Sequence, residues 1–369
     1  MTKKNITYIF TGNRKNNFET KNIQSKEFYY GITELDAHKF NLEIIEPTKR
    51  NRFGKMFLFV LDRLLNKFVS LPFYTSNFFN YKNLKTFLNS DHVFVVNESA
   101  GCSVLPLVII TKLFKKTKFN LFVMGLYSKN LKYPGFKFIH NFFLRSIYKS
   151  FDSLFFLGKG ELEKAIKLHK STNKLIYFPF YIDTHFWSTD SLDLSQNNQI
   201  IFIGNDGNRN ISLLIDIAKS LPSYNFLFVS QINDIRDLNL PNVEVVHGKW
   251  GSKEISDLDI KEFYENSKIC IIPLKETTQP SGQSVTLQSL SIGVPVIISK
   301  TDGFWDNTNF VDNKNIIFCE NKLELWVKKI EELYNDNKIL NNLSQHGKEV
   351  VSKNYNLELL NKRLIKYIN

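Results

Sequence analysis

Two stretches in the second half of the chain carry residue types suited to holding an anion. The first, "GNDGNRN" (204–210), follows the apolar run "QIIFIG" and precedes a helical pattern. Glycines let the backbone approach a phosphate, and a helix start adds oriented N–H groups and a positive dipole end. Arg209 stands where a guanidinium can pair bidentately with a diphosphate. Gly204, Asn205 and Arg209 are the candidate ligand residues, although Gly-Asn-Asp-Gly also makes a plain turn. The second stretch, "QPSGQSVTLQSLSIGVPVIIS" (279–299), puts Ser281, Gly282, Gln283 and Ser284 at the start of a helical pattern that Gly293 stops. Ser281 is the expected N-cap, Gly282 permits close approach, and Gln283 and Ser284 offer side-chain donors. Lys275 adds positive charge just upstream. No acidic residue lies between Glu276 and Asp302, so this helix start presents donors alone. Its plain reading is a capped helix packed between two strands.

The first half offers fewer chemical groups. Glu98 follows the strand-like "HVFVVN" and opens a helical pattern. It has two readings: a general base or positioning group for a hydroxyl, or an acid favoured by the dipole at a helix start. Gly12 and Asn13 follow the first strand-like run and belong to the same kind of edge. "SKEFYYG" (25–31) is placed beside them without a chemical role. The seven histidines are scattered, and surface or core roles account for them. Cys102, Cys270 and Cys319 are odd in number and widely spaced, which excludes a disulfide framework or a zinc cluster. No carboxylate cluster suits a metal, so positive residues and helix dipoles must stabilise any leaving diphosphate.

Strand-like runs alternate with helical patterns throughout, the mark of parallel α/β units. In the first half the runs are 5–10, 41–46, 92–97, 119–124, 153–158 and 174–180. In the second they are 199–204, 225–230, 243–248, 269–274, 295–299 and 315–319. Most are continuously apolar, as expected of strands buried on both faces. The expectation is two doubly wound domains, 1–180 and 181–352, with the boundary near "YIDTHFWSTDSLDLSQNNQ" and a final helix over 353–369. In open sheets of this kind ligands bind beyond the carboxyl ends of the strands, and two such domains place the site in a cleft between them.

The chain has 369 residues, 43% of them hydrophobic and 23% charged, so it is globular rather than disordered. Its charge is uneven. Residues 1–180 carry 29 Lys+Arg against 12 Asp+Glu, or +17, and the remainder makes up −5 of the total of +12. Such asymmetry points to nucleic acid or anionic lipid. No nucleic-acid-binding motif is present, which leaves the membrane surface. No apolar run reaches membrane-spanning length, and "MTKKNITYIFTG" has too short an apolar run for a secretory leader. A protein peripheral to the inner face of the cell membrane is therefore expected. "FGKMFLFVLDRLLNKFVSL" (53–71) reads as a cationic amphipathic helix: Phe57, Leu58, Leu61, Leu64, Leu65 and Phe68 share an apolar face. Lys55, Asp62, Arg63, Asn66 and Lys67 lie opposite, an arrangement suited to an anionic bilayer. An ordinary domain helix with its apolar face on the core has the same pattern.

The order "IIFIGNDGNRN", "VEVVHGKW", "FYENSKICIIPL", "PSGQSVTLQSLSIGVPVIIS", "TDGFWDN" resembles the nucleotide-binding half of family 4 glycosyltransferases, and "YFPFYIDTHFW" (177–187) looks like their interdomain segment. The resemblance implies the GT-B fold, two Rossmann-like doubly wound domains facing an interdomain cleft. It implies a nucleoside-diphosphate sugar, expected to be UDP-linked, held by the C-terminal domain as co-substrate, with no cofactor or metal. Gly12, Asn13, Gly204, Asn205, Arg209, Lys275 and residues 281–284 would then meet the donor, and His247 and Gly248 would lie at the base. The acceptor would be a lipid-linked saccharide or glycolipid, in surface polysaccharide or lipopolysaccharide biosynthesis, with retention of configuration and no protein nucleophile. Two glutamates of the family are missing: one falls beside Pro280, and the ribose-binding one aligns with Gln288, which can accept one hydroxyl bond and donate another. A histidine near the donor sugar is replaced by "MGLYSKN" (124–130). Two other classes share these features: a GT-B nucleotide-sugar 2-epimerase, and a non-catalytic nucleotide-sugar or lipid-binding protein.

Overall fold

A computed structural model describes residues 3–48, 56–190, 192–248, 250 and 254–369. The chain divides into two compact units. Unit 1 comprises Met1–Ile23, Tyr29–Pro179 and Arg363–Asn369; unit 2 comprises Gln24–Phe28 and Phe180–Lys362.

Unit 1 holds β1 (Lys4–Ile9), β2 (Phe40–Ile45), β3 (His92–Val96), β4 (Lys118–Val123), β5 (Ser153–Phe156) and β6 (Leu175–Tyr177). They form one parallel sheet in the order β2-β1-β3-β4-β5-β6. Its helices are α1 (Arg14–Glu19), α2 (Met56–Val69), α3 (Thr75–Phe78), α4 (Tyr81–Asn89), α5 (Glu98–Phe114), α6 (Lys137–Ser150) and α7 (Lys159–His169). Val93, Val95, Leu121, Val123, Leu154 and Phe156 of the central strands pack with Ala100, Val104 and Val108 of α5 in one core. Such strands are buried on both faces, which is why their sequences are apolar without alternation.

Unit 2 holds β7 (Gln199–Ile203), β8 (Asn225–Val229), β9 (Val243–Val246), β10 (Ser267–Ile272), β11 (Val296–Ser299) and β12 (Ile317–Cys319). Their parallel order is β12-β11-β10-β7-β8-β9. Its helices are α8 (Ile211–Ser220), α9 (Asn233–Arg236), α10 (Asp257–Glu265), α11 (Gln283–Ile292), α12 (Leu323–Asn335) and α13 (Asn337–Asn354). The last helix, α14 (Leu357–Ile368), passes from unit 2 to unit 1 after Lys362. Each sheet runs outward from its first strand, then starts again on that strand's other side. The topological switch points therefore lie between β1 and β3 and between β7 and β10, the places where open sheets hold ligands.

Candidate functional site

At the switch point of unit 2 the two expected loops meet. The Asn210 amide N donates to Pro273 O at 3.0 Å, the Lys275 amide N to Asn208 O at 2.8 Å, and Lys275 Nζ to Gly207 O at 3.2 Å. Asn208 Nδ2 donates to Ser281 Oγ at 2.8 Å. Ser281 is thus a partner of the neighbouring loop and not the expected N-cap. That position belongs to Gly282, left-handed at φ 77°, which makes no side-chain cap bond. A side chain there would be strained, so glycine is needed for this turn. The α11 start contains no acid to neutralise its dipole.

Arg209 lies between these loops. Its guanidinium covers Gly204 so closely that a Cβ on Gly204 would fall 2.2 Å from Nε. A Cβ on Gly282 would lie 3.7 Å from the NH1 atom of Arg209. The side chain is only 4% exposed, yet its Nε and NH1 atoms have no hydrogen-bond partner. Asp206 Oδ2 is 3.3 Å from NH1, near enough to offset charge but poorly placed to accept a bond. Buried guanidinium donors ordinarily find acceptors, so unsatisfied ones between two glycine turns define an anion-competent site. Of the other expected donor ligands, Gln283 is buried and Ser284 partly exposed at the first turn of α11. Lys275 is exposed, and Asn205 Oδ1 accepts from Gln231 N at 2.5 Å, tying its loop to the end of β8. His247 is exposed and Gly248 is packed against Ile255; Lys249 and residues 251–253 of the expected base loop lie outside the described residues.

Gln288 has a partner other than the expected ribose. It is fully buried, and its Nε2 donates to Glu27 Oε1 at 2.8 Å. Trp187 Nε1 donates to the same oxygen at 2.7 Å. A side chain so enclosed is closed to a ribose in this structure, which corrects the expected contact. The strap Gln24–Phe28 that delivers Glu27 is fastened to unit 2 at further points. Ser25 Oγ donates to Asp257 Oδ2 at 2.7 Å and the Asp257 amide N to Gln24 Oε1 at 2.9 Å, while Trp250 Nε1 holds the other Asp257 oxygen at 2.8 Å. Burial pushes the Glu27 carboxyl up to about 7, against the lowering effect of bonds from Gln288, its own backbone and Trp187. The carboxylate missing from α11 is thus matched by one arriving from a distant segment.

At the switch point of unit 1, Asn97 Nδ2 donates to Thr11 Oγ1 at 2.9 Å, joining the loops after β1 and β3. Asn97 has φ 83° and ψ 160°, a strained conformation for a residue with a Cβ. It caps α5 through Ala100 N at 2.9 Å and so fixes Glu98 at the first helical position. Glu98 is 8% exposed; Oε1 is 3.6 Å from Lys129 Nζ, and Oε2 is buried without a partner. Both readings of Glu98 thus keep a footing: helix start and strand-end acid with an unused oxygen. Gly12 and Asn13 precede α1, but the Arg14 and Lys15 amides at its start donate to Glu46 Oε1 at 2.5 and 3.1 Å. That helix start already holds a carboxylate. The "MGLYSKN" loop is held by Glu161, whose Oε1 accepts from Gly125 N at 3.1 Å and Tyr127 N at 2.7 Å. Burial pushes Glu161 up to about 8; the Tyr127 bond lowers it and Glu98 raises it. Glu27, Trp187, Asp257 and Glu161 were not given roles by sequence reasoning: Glu27 and Trp187 lie in the quoted stretches 25–31 and 177–187, but the partners that define them are 160 and 261 residues away.

In α2, Phe57, Leu61, Arg63, Leu64 and Lys67 are exposed and Phe68 is partly so, while Lys55 lies outside the described residues. The expected polar face needs correction. Asp62 is buried, accepting from Thr75 N at 3.0 Å and Ser76 N at 2.9 Å, and Asn66 bonds the backbone of Phe73. The helix is docked by these polar side chains together with Leu65 and Val69, and it leaves Phe57, Leu61 and Leu64 outside. No described helix is long and apolar enough to cross a membrane. Among the described residues, no three His, Cys, Asp or Glu side chains gather as a metal site.

No protein-family model matches the sequence, and no curated protein sequence does. Solved structures do resemble it. Sucrose-phosphate synthase from Thermosynechococcus elongatus superposes with a TM-score of 0.68 at 12% identity, covering 99% of this chain and 98% of that one. HepE of Anabaena in complex with UDP and glucose gives 0.65 at 12% identity, covering 98% of each chain. A glycosyltransferase from Rickettsia africae gives 0.62 at 12% identity, covering 100% of this chain and 98% of that one. These likenesses define the architecture: the chain has the GT-B fold of glycosyltransferases, two Rossmann-like doubly wound units.

Proposed function

We propose that the protein is a glycosyltransferase that takes its sugar from a nucleoside-diphosphate donor, UDP-linked as in the HepE complexes. The observation that carries this reading is Arg209, a buried guanidinium with unspent donors between the glycine turns at the switch point of unit 2. A diphosphate supplies the acceptors that Arg209 lacks, and the α11 dipole favours its charge as it leaves. Arg209 and the start of α11 are the groups that stabilise the leaving diphosphate. The acceptor is a lipid-linked saccharide or glycolipid of surface polysaccharide or lipopolysaccharide synthesis, met by unit 1, where Glu98 is the acid that orients its hydroxyl. Transfer is taken to retain anomeric configuration without a protein nucleophile, at the inner face of the cell membrane. The outward apolar side of α2 supports that location.

Calorimetry with UDP tests the donor site. Arg209→Ala should weaken binding by about ten- to a hundredfold, the value of charge-assisted hydrogen bonds. Unchanged affinity would remove the diphosphate from this site.

A further inference from the structure

We propose that unit 1 docks on an anionic bilayer through two helices, α2 and α6, with α6 inserting Phe138 and Phe142 beside the outward face of α2. This rests on the membrane location proposed above and adds a second anchoring element to it. On α6 the inward positions are His140, Leu144 and Ile147. Outward stand Phe138, 80% exposed, and Phe142, 57% exposed, followed on the same face by exposed Arg145 and Lys149. On α2, Phe57 is 78% exposed, and Val60, Leu61 and Leu64 are exposed with it.

The two helices meet at the C-terminal end of α2. His140 Nδ1 lies 2.7 Å from Val69 O at the end of α2, and Phe68 stacks on Phe136 at 4.8 Å just before α6. Internal bonds fix the orientation of α2, because turning it over would strip Asp62 of two backbone donors and expose the Asn66–Phe73 pair. The apolar face is therefore a stable feature of the fold, and apolar patches of this kind mark interaction sites.

Charge identifies the occupant. Between Asp62 and Asp91 the chain has four Lys+Arg and no acid, and between Glu98 and Asp152 it has nine and no acid. Arg63 lies over the Phe59 ring at 4.5 Å, Lys67 over Phe68 at 5.3 Å and Lys132 over Tyr133 at 5.9 Å, so cations rim the aromatic groups. A second copy of this chain would bring the same cations face to face at a cost. An anionic bilayer pairs with them and receives the rings at headgroup depth.

Sedimentation of the full-length protein with phosphatidylcholine vesicles, with and without 30% (about one lipid in three) phosphatidylglycerol, tests the surface. Binding is expected to the anionic vesicles alone. Phe138→Ser with Phe142→Ser should lower the partition coefficient about tenfold or more, as loss of two inserted rings implies. Both rings are exposed, so the thermal midpoint should not move. Arg145→Glu with Lys149→Glu should weaken anionic binding equally, again without unfolding. UDP affinity is measured on the same samples, so loss of vesicle binding with intact UDP binding separates this surface from the donor site. Wild-type partitioning by both variants would overturn the role of α6. So would an absence of binding of the wild-type protein to the anionic vesicles; dimers in analytical ultracentrifugation that the phenylalanine variant dissolves would then assign the face to a second copy of this chain.

Discussion

Glu27 is the residue that most alters the reading of α11. Its Oε2 is buried without a partner, as is Gln288 Oε1, while Oε1 accepts two bonds. A proton on Glu27 turns one empty acceptor into a donor, so the neutral acid is the better-satisfied form. Its folded value of about 7 exceeds the ordinary 4.5. The stabilisation is therefore complete below pH 4.5 and lost as pH rises through 7, a difference on the order of 3 kcal/mol. Glu161, at about 8, acts in the same direction in unit 1. Urea unfolding from pH 5 to 8 should show stability falling with pH, and Glu27→Gln should flatten part of that slope, since an amide reproduces the neutral acid. A variant with the wild-type slope would mean that Glu27 does not hold the proton. None of this was legible in the sequence. Gln288 could be aligned with a lost glutamate, but its partner is 261 residues away in "SKEFYYG" and no periodicity connects them.

At the scale of elements the sequence was far more informative. Runs such as "HVFVVN" and "ICIIPL" are apolar on both faces because both faces of their strands are covered, and they became β3 and β10. The end of α11 at Gly293, left-handed at φ 113°, follows from glycine alone, whereas its start falls at Gly282, one residue past the expected cap Ser281. The facing of α2 did not follow from its pattern. The hydrophobic stripe suits either a core or a membrane, and the decision lies with Asp62, which caps α3 thirteen residues on. Asp62→Ala should therefore cost about 2–4 kcal/mol, the loss of two bonds to a buried carboxylate, although the residue stands on a helix with an exposed face. Hydrogen exchange should quicken across α2 and residues 71–79 and leave unit 2 unchanged. An effect under 0.5 kcal/mol (about the scale of a surface substitution) would show that other contacts set the helix orientation.

At the scale of the whole molecule, neither unit is a simple half of the chain. Unit 2 takes Gln24–Phe28 from the first half, and unit 1 takes Arg363–Asn369 from the end. Each exchanged piece is bonded where it lies. In unit 1, the Arg363 NH2 atom donates to Tyr177 O at 2.6 Å, Lys4 Nζ donates to Ile368 O at 2.7 Å, and the Tyr367 ring meets Phe155 edge-on at 4.8 Å. In unit 2, loss of the strap would leave the Trp187 and Gln288 donors buried and unpaired. Such groups cost about 1–3 kcal/mol each when their partners are removed. A break between Pro179 and Phe180, at the composition boundary visible in the sequence, should thus give two destabilised fragments. Residues 180–369 alone should unfold at lower urea than the same unit in the intact protein, with faster exchange at the Trp187 and Gln288 amides. Joining residues 20–30 to that fragment through a flexible Gly/Ser linker should recover most of the loss, and the same graft carrying Glu27→Ala should not. If the bare fragment matched the intact protein, the strap would contribute nothing to unit 2. Recovery that depends on Glu27 would make a five-residue segment from the first half part of the architecture behind the proposed donor site.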